Sequence, residues 1–520
     1  MGRHVRIFAF SALLLLVLVA CGSRVVPLNS NAFGQPIPNG SAAPSINPST
    51  GQTISPTGGA GPGSTTGGSG GNTTGALANC KAPAKSTDKG VTQTSIKVGL
   101  VAAITGSFRG QFNANIEAVD AYFKMINAEE GGICGRKIQL HKRDDQGNAQ
   151  QDLTAARELA DDVGVFAFVG SVSAPDSDTG VASVSKSQKI PDIGFPLTYE
   201  RSGSPYTFGA PGQLAKDMSG EGQSGTKYLN DLYKIKQVAV FWVGEALVSK
   251  ANAWVFESSA LKNSGNAVKI CYLRETSVLD NNFENYAASI TQACPASNGA
   301  LAIYSTMENN SNIKLARAIR SQGVKYAYFS PTFTSYLQEY VRDEGGNARS
   351  ETDGSFIAVP QIPFERCGFD SKRRPTPPCS HPELNRYVTA LTRYVPGYRA
   401  PGSWGGPGWG QAALFVQAAK ACGAELTRAC VISEIKKINR FSANGFLSPA
   451  TPRDKVIYTA DLILQVKNGK FVEIKPNATS GPKEAPDFWD TSKLYNWWSY
   501  FCGNQRYYPN ASDIRSFVRC

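Results

Sequence analysis

The stretch TSIKVGLVAAITGSFRG, residues 94–110, opens as a nine-residue, mostly apolar run from Ile96 to Ile104 and then breaks at Gly106 and Gly110. A run this short, rich in β-branched residues and without helical period, is a strand covered on both faces, as in parallel sheets. The segment after Gly110 has a different period. Ile116, Val119, Phe123 and Ile126 recur at spacings of three and four, which puts them on one face of a helix that stops at EEGGICG. KIQLHKRDD is the next strand. AQQDLTAARELADD is the next helix, with Leu153, Ala156, Leu159 and Ala160 on one face, and VFAFVGS is the third strand.

The same strand–helix alternation returns further on in QVAVFWVGE, SKANAWVFESSALKNSG, AVKICYLRE, NFENYAASITQA, GALAIYS, NIKLARAIRSQG and YAYFSPT. Alternation of this kind argues for parallel sheets flanked by helices, an α/β fold, and two such series mean two lobes. After GSFIAVPQIP the helical segments from His381 to about Arg440 are expected to return to the first lobe. DKVIYTADLILQVKNGKFVEI, with its Asn468-Gly469 turn, is a terminal hairpin.

Upstream of this body lies a segment of another kind. From Gly22 to about Ala78 the chain is dominated by Gly, Ser, Thr, Pro and Asn, which supply too few apolar side chains to offset ordering entropy. As a flexible chain it reaches on the order of 40 Å, enough to lift a body clear of a lipid surface. Before it come Arg3 and Arg6, an apolar stretch from Ile7 to Val19, and the small residue Ala20. That is the pattern of an export signal, and it falls short of the ~20 apolar residues of a spanning helix. Leu18-Val19-Ala20-Cys21 resembles the lipobox of bacterial lipoproteins. The resemblance implies cleavage before Cys21 and acylation of its sulfur, and two or more acyl chains hold a protein stably to a bilayer. Ordinary secretion with cleavage nearby is the alternative.

The chain has 53 basic and 41 acidic residues, a formal charge of +12. This sign suits anionic surfaces. No zinc-finger spacing, RNP-like strand or long basic run accompanies it, and with the export signal this excludes nucleic acid as a partner. Of the eleven cysteines, Cys21 is assigned to the lipid and ten remain. No CxxC pair suggests a metal, and an even number in an exported chain argues for disulfides. Short separations favour Cys367 with Cys379 and Cys422 with Cys430. Cys80 with Cys134, Cys271 with Cys294 and Cys502 with Cys520 are one of many pairings the other six allow.

TSIKVGLVAAITGSF, AVDAYFKMINAEEGGICGRKIQLHKRDDQ and FVGSVSAPDS followed by IPDIGFPLT resemble the type 1 periplasmic binding protein fold, and within it the branched-chain amino acid (Leu/Ile/Val)-binding family. The likeness continues through YFSPT and WGQAALFVQAAKACGAELTRAC, so it spans most of residues 94–475. It implies two Rossmann-like α/β lobes joined by three crossing strands, closing on a small solute that is delivered to an ABC permease. The expected organisation is a signal peptide over 1–20 and a lipid-anchored linker over 21–78. Lobe 1 takes 79–212 and 354–452, lobe 2 takes 213–353, and 453–520 holds the hairpin of lobe 2 and an aromatic tail. A monomer, exported and lipid-anchored at the outer face of the cytoplasmic membrane or on the periplasmic side of the envelope, is expected.

In open α/β sheets the carboxyl ends of the strands and the amino ends of the helices face one crevice, where free backbone N–H groups favour anions. The residues that follow the strands are therefore the site candidates. In the first lobe they are Ser107 and Phe108, Ser173 and Ala174, and Leu197 and Thr198. In the second they are Glu245, then Thr306, Met307 and Glu308, then Thr332 and Phe333. Trp409 is a candidate cover for an apolar side chain. Helix capping and core packing are the competing roles for each. Amino-acid binders of the family resemble one another in an acid that follows the strand reading YAYFS here and pairs with the ligand ammonium. This chain has Thr332 there. Glu308 or Glu245 can supply the charge from a neighbouring loop; otherwise the solute lacks an ammonium group, which leaves amides and organic acids.

An enzyme finds little support. Beyond the signal only His141 and His381 occur, with no GxSxG elbow, no HExxH and no phosphate-binding glycine loop after a strand. No cofactor or metal is called for, and Asp144-Asp145 at a strand end is expected to be a solvated turn or a hinge contact. The second reading is a non-catalytic sensor or a cell-envelope adhesion module on the same fold. The tail from about Asp487 to Cys520, with Trp489, Tyr495, Trp497, Trp498, Tyr500 and Phe501, either packs on the second lobe or forms a carbohydrate or partner surface.

Overall fold

In the computed structural model the expected first strand is β1 (Ser95–Ala102), followed by α1 (Asn113–Glu129), β2 (Lys137–Asp144), α2 (Ala149–Arg157), β3 (Ala167–Val169), α3 (Thr179–Gln188), β4 (Asp192–Gly194), α4 (Tyr199–Gly203) and β5 (Thr207–Gly209). The structure describes residue 80 and residues 85–174, 177–210, 224–246, 248–250, 252–253, 267–295, 299–398, 402–453, 460–474, 483–485 and 488–490. The signal segment, Cys21, the linker to residue 78, the pair Cys502 and Cys520, and all but three residues of the aromatic tail lie outside them.

These five strands form one wholly parallel sheet in the order β2-β1-β3-β4-β5. The alternation of β1 explains its two covers. Val98, Leu100 and Ala102 enter the core that contains Val119 and Phe123 of α1, while Val101 packs with Ala156 of α2, Leu159 of the helical turn that follows it, and Val181 and Val184 of α3. All four apolar residues read as one face of α1 are buried.

The second series begins with α5 (Ser224–Tyr233) and runs through β6 (Gln237–Val243), β7 (Lys269–Thr276), α6 (Phe283–Ala293), β8 (Leu301–Ser305), α7 (Asn309–Ser321) and β9 (Tyr328–Pro331). Its strands make a second parallel sheet, β7-β6-β8-β9. Tyr286, Ala287 and Ile290 of α6 and Leu315, Ala318 and Ile319 of α7 share its core with Phe241 and Ile303.

The chain then enters β10 (Phe356–Val359), a disulfide-closed ribbon of β11 (Cys367–Phe369) and β12 (Pro375–Cys379), and three helices, α8 (Pro382–Tyr394), α9 (Gly405–Cys422) and α10 (Arg428–Lys437). α8 and α9 both lie against α1 of the first series. Contact with α1 is close because Gly408 has no side chain: a Cβ there would come 2.5 Å from the Asn115 carbonyl oxygen. β13 (Ala460–Lys467) and β14 (Lys470–Ile474) form the expected hairpin, with positive φ at both Asn468 and Gly469, as a two-residue turn of matching twist requires. β13 also pairs antiparallel with β10. β10 also lies beside β9 of the second series. Two short strands, β15 (Lys483–Ala485) and β16 (Phe488–Asp490), extend this antiparallel sheet.

Disulfides join Cys80 to Cys134, Cys271 to Cys294, Cys367 to Cys379 and Cys422 to Cys430. The second ties edge strand β7 to the end of α6, and the last ties the end of α9 to α10. Among the described residues no helix is long and apolar enough to cross a membrane.

Candidate functional site

The rim at the carboxyl ends of the first sheet is built on the half-buried Asp144 and the buried Asp145 and Asp178. Asp144, the last residue of β2, accepts hydrogen bonds from the Ile104, Thr105 and Gln146 amides at 3.0, 3.2 and 2.9 Å and from the Thr105 hydroxyl. It therefore clamps the loop after β1, which carries Ser107 and Phe108 in a single 3-10 turn. This is a structural turn contact, as expected. Gly147 lets the next two loops close up: a Cβ there would meet the Ala174 methyl at 3.1 Å and the Phe108 ring at 3.4 Å.

Asp145 points the other way and is fully buried. It accepts from the Gly147 amide at 2.8 Å, and its Oδ2 has no hydrogen-bond partner. Burial raises its pKa, partly opposed by hydrogen bonds from Ser173 and Gly147. The Ser173 hydroxyl is further paired with that of Ser177. Asp178 holds the fourth loop: it accepts from the Leu197 amide at 2.7 Å and from the Thr198 hydroxyl.

Arg201, in the helical turn α4, locks this arrangement from below. Its Nε and Nη2 donate to the two oxygens of Asp192 at 2.8 Å each, Nη2 also donates to the Ser171 carbonyl at 3.1 Å, and Nη1 donates to Asp178 at 3.3 Å. Arg201, Asp178 and Asp192 have no exposed surface. Burial alone would lower the arginine pKa, but Asp192 first and then Asp178 and Asp152 outweigh it, and the shift is upward. Thr198, expected to offer its hydroxyl to a ligand, therefore has it engaged with Asp178, and the Ser173 hydroxyl is engaged with Ser177.

On the second sheet the candidates divide in the same way. Thr306 is buried and its hydroxyl donates to the Ser249 carbonyl at 2.6 Å. Met307 is fully buried beside Thr276. Glu245 is exposed and accepts from the Ser277 hydroxyl. Glu308 caps α7: one carboxylate oxygen accepts from the Ser311 amide at 2.9 Å and from its hydroxyl at 2.7 Å. The other oxygen is buried without a partner, and burial raises the pKa of the group against the two Ser311 bonds. Thr332 is held by its amide on the Ser305 carbonyl at 2.9 Å, with its hydroxyl on Thr334 at 2.8 Å.

The two rims meet through aromatic rings. Phe333, after β9, lies 6.2 Å from Phe195, after β4, and 5.2 Å from Trp404, at the N-cap of α9. Trp404 in turn packs edge-on against Phe195 at 4.9 Å and Phe112 at 5.0 Å. Trp409, expected to cover a solute, is instead a core residue. Its ring is closed in by Tyr122 at 4.5 Å and Tyr387 at 4.8 Å, and its Nε1 donates to Glu383 at 2.8 Å. Helical period explains the correction: five residues separate Trp404 from Trp409, and only the first sits at the helix start. Phe195 and Trp404 were not singled out in the sequence, although GFPLT and GSWGG place each next to a strand or helix end. Among the described residues no three His, Cys, Asp or Glu side chains are grouped to hold a metal.

Residues 95–470, most of the described body, match the sequence profile of the family described as periplasmic binding protein. The chain belongs to this family. No curated protein matches the sequence with significance. Solved structures do. The leucine-binding protein LivK of Thermotoga maritima is 16% identical, with a TM-score of 0.58 over 73% of this chain and 98% of its own. The isoleucine complex of the branched-chain amino acid transporter substrate-binding protein LivJ of Streptococcus pneumoniae is 14% identical, with a TM-score of 0.57 over 74% and 100%. A fatty acid ABC transporter substrate-binding protein of Thermomonospora curvata is 17% identical, with a TM-score of 0.56 over 75% and 94%. Identities this low carry the fold alone, and the fold is that of the type 1 periplasmic binding proteins. The family places the protein outside the cytoplasm.

Proposed function

We propose that the chain is the solute-binding lipoprotein of an ABC transporter, anchored through Cys21 and carrying its body on the linker that ends near residue 78. It captures one small amino-acid-like, amide or organic-acid solute between its two α/β lobes, taken as 79–212 with 354–452 and 213–353 with the hairpin. The observation that carries this reading is the Phe195–Phe333–Trp404 contact, which joins loops at the carboxyl ends of two separate parallel sheets. Only the gap between the sheets brings those loops together, and a solute held there touches both lobes. Phe108 and Ala174 supply apolar surface on one side, and the unpartnered oxygen of Glu308 supplies a polar contact on the other.

Closure accounts for capture without chemistry. An open state binds solute on one rim, the other rim swings over it, and the closed form is the one a permease recognises. The raised pKa of Glu308 shifts it toward its neutral form, which suits a hydroxyl or amide partner better than an ammonium.

The test is a thermal-shift screen of the chain from Cys21 onward against amino acids, their amides and small organic acids. A solute that binds only the folded state raises the melting temperature in proportion to the logarithm of its concentration. A concentration-dependent rise with one of these classes is expected. No rise with any of them would contradict the transport reading and favour an adhesion role.

A further inference from the structure

Three passes of the chain between the lobes converge on the first turns of α9. Ala210 follows β5, Gln361 follows β10, and Leu447 and Ser448 lie before β13. Gln361 and Leu447 form an antiparallel bridge, and the Ser448 amide donates to the Pro360 carbonyl at 2.8 Å. Gly410 sits under them without a side chain: a Cβ there would lie 2.2 Å from Leu447 Cδ1 and 3.7 Å from the Ala210 methyl. Gly406, in the first turn of α9, is covered by the carboxamide of Gln361, since a Cβ on Gly406 would fall 2.1 Å from Gln361 Oε1.

This junction holds an unusual set of polar atoms. Gln361 Nε2 and Oε1, Ser403 Oγ, Trp404 Nε1, Gln411 Oε1 and Ser448 Oγ have no hydrogen-bond partner within the protein, yet every one of these residues is at least 95% buried. Buried polar groups in native proteins are paired, so each of these atoms needs a partner of some kind. Four of the six can donate a proton. The N-cap Trp404 supplies no side-chain cap and the first turn of α9 contains no acid, so the amide end of this eighteen-residue helix adds its own positive potential. Donors at a helix N-terminus select an anion.

The first rim is built for the opposite sign. Its Thr198 hydroxyl is tied to Asp178, and Asp145 keeps a buried carboxylate oxygen without a partner. A carboxylate placed there would face these acids.

We propose that the start of α9 is the anion subsite of the gap and takes the carboxylate of an organic-acid solute, whose apolar body lies on Trp404, Phe195 and Phe333. The subsite rests on the solute-binding reading above and narrows it to solutes that carry a carboxylate. Gln361 Nε2, Ser403 Oγ and Trp404 Nε1 donate to the two oxygens, and no residue of the subsite changes its bonding covalently.

Matched probe pairs test it: phenylacetate against phenylacetamide, and isovalerate against isovaleramide, each titrated into the chain from Cys21 onward by thermal shift. Each carboxylate is expected to bind about tenfold or more tightly than its amide, the difference a charged acceptor makes. Q361E, which sets a second negative charge over Gly406, should reverse the preference within each pair. Ser403→Ala keeps the subsite testable if that variant does not fold, and should weaken the carboxylates selectively. Equal binding of acid and amide, or a preference unchanged in both variants, would overturn the subsite while leaving solute binding intact. Failure of every amino acid, amide and acid to bind would overturn both.

Discussion

Arg201 shows how much of this protein's rim depends on one side chain. It is enclosed by Asp192 and Asp178, both without exposed surface, and it reaches the Ser171 carbonyl at the end of β3. Removing one partner of a buried ion pair leaves the others uncompensated. Arg201→Met is therefore expected to lower the unfolding free energy by roughly 3–5 kcal/mol, read from urea denaturation. A change below 1 kcal/mol would mean the network relaxes freely. Nothing in the spacing of YERSGS announced this arginine, because its importance comes from acids nine and twenty-three residues away that only the folded sheet brings close. Asp461 of β13 offers a second test at this scale. It is buried with one oxygen unpartnered, and burial pushes its pKa up to about 7 from an ordinary 3.8. Below pH ~4 both folded and unfolded states hold the proton and stability is unaffected. From there to about 7 only the folded state holds it, so stability falls as pH rises, by on the order of 4 kcal/mol in all, and then levels. Asp461→Asn should flatten that slope and be the more stable form at pH 8, as thermal unfolding across the pH range would show. An unchanged slope would place the titration elsewhere.

At the scale of elements, the sequence was most legible where period and burial coincide. β1 and α1 were read from Ile96–Ile104 and from the three-and-four spacing of Ile116, Val119, Phe123 and Ile126, and each lies where its pattern puts it. The hairpin of β13 and β14 was visible in Asn468-Gly469 for the same reason: a turn needing positive φ twice admits few residue pairs. Whether Trp409 covers a solute or packs in the core stayed open in the sequence, because an aromatic residue in a glycine-rich helix start has no period of its own to orient it. Engagement of the Ser173 and Thr198 hydroxyls was illegible as well, since a residue after a strand looks the same whether it faces a solute or a polar side chain of the protein itself. The glycines of α9 have a packing role that can be measured. Gly408 lets α9 lie against α1 at the Asn115 backbone, so Gly408→Ala must push the helices apart, and overpacking of this kind destabilises by about 1–3 kcal/mol. Guanidinium denaturation is the measurement, and a loss within 0.3 kcal/mol would contradict so close an approach.

For the whole molecule, the two parallel sheets and the antiparallel sheet of β10 and β13 make a body whose loops from separate sheets touch at Phe195, Phe333 and Trp404. The branched-chain resemblance located this architecture from short, ordered motifs, while it left the solute open because it implies an acid at the position of Thr332. Capture by closure has a stoichiometry and leaves the guest unchanged. Native mass spectrometry of the chain from Cys21 onward, titrated with a solute that raises its melting temperature, reads both directly. One solute per chain, released at its original mass, is the expected result. A product of altered mass, or binding at several equivalent sites, would contradict capture in a single hinged gap.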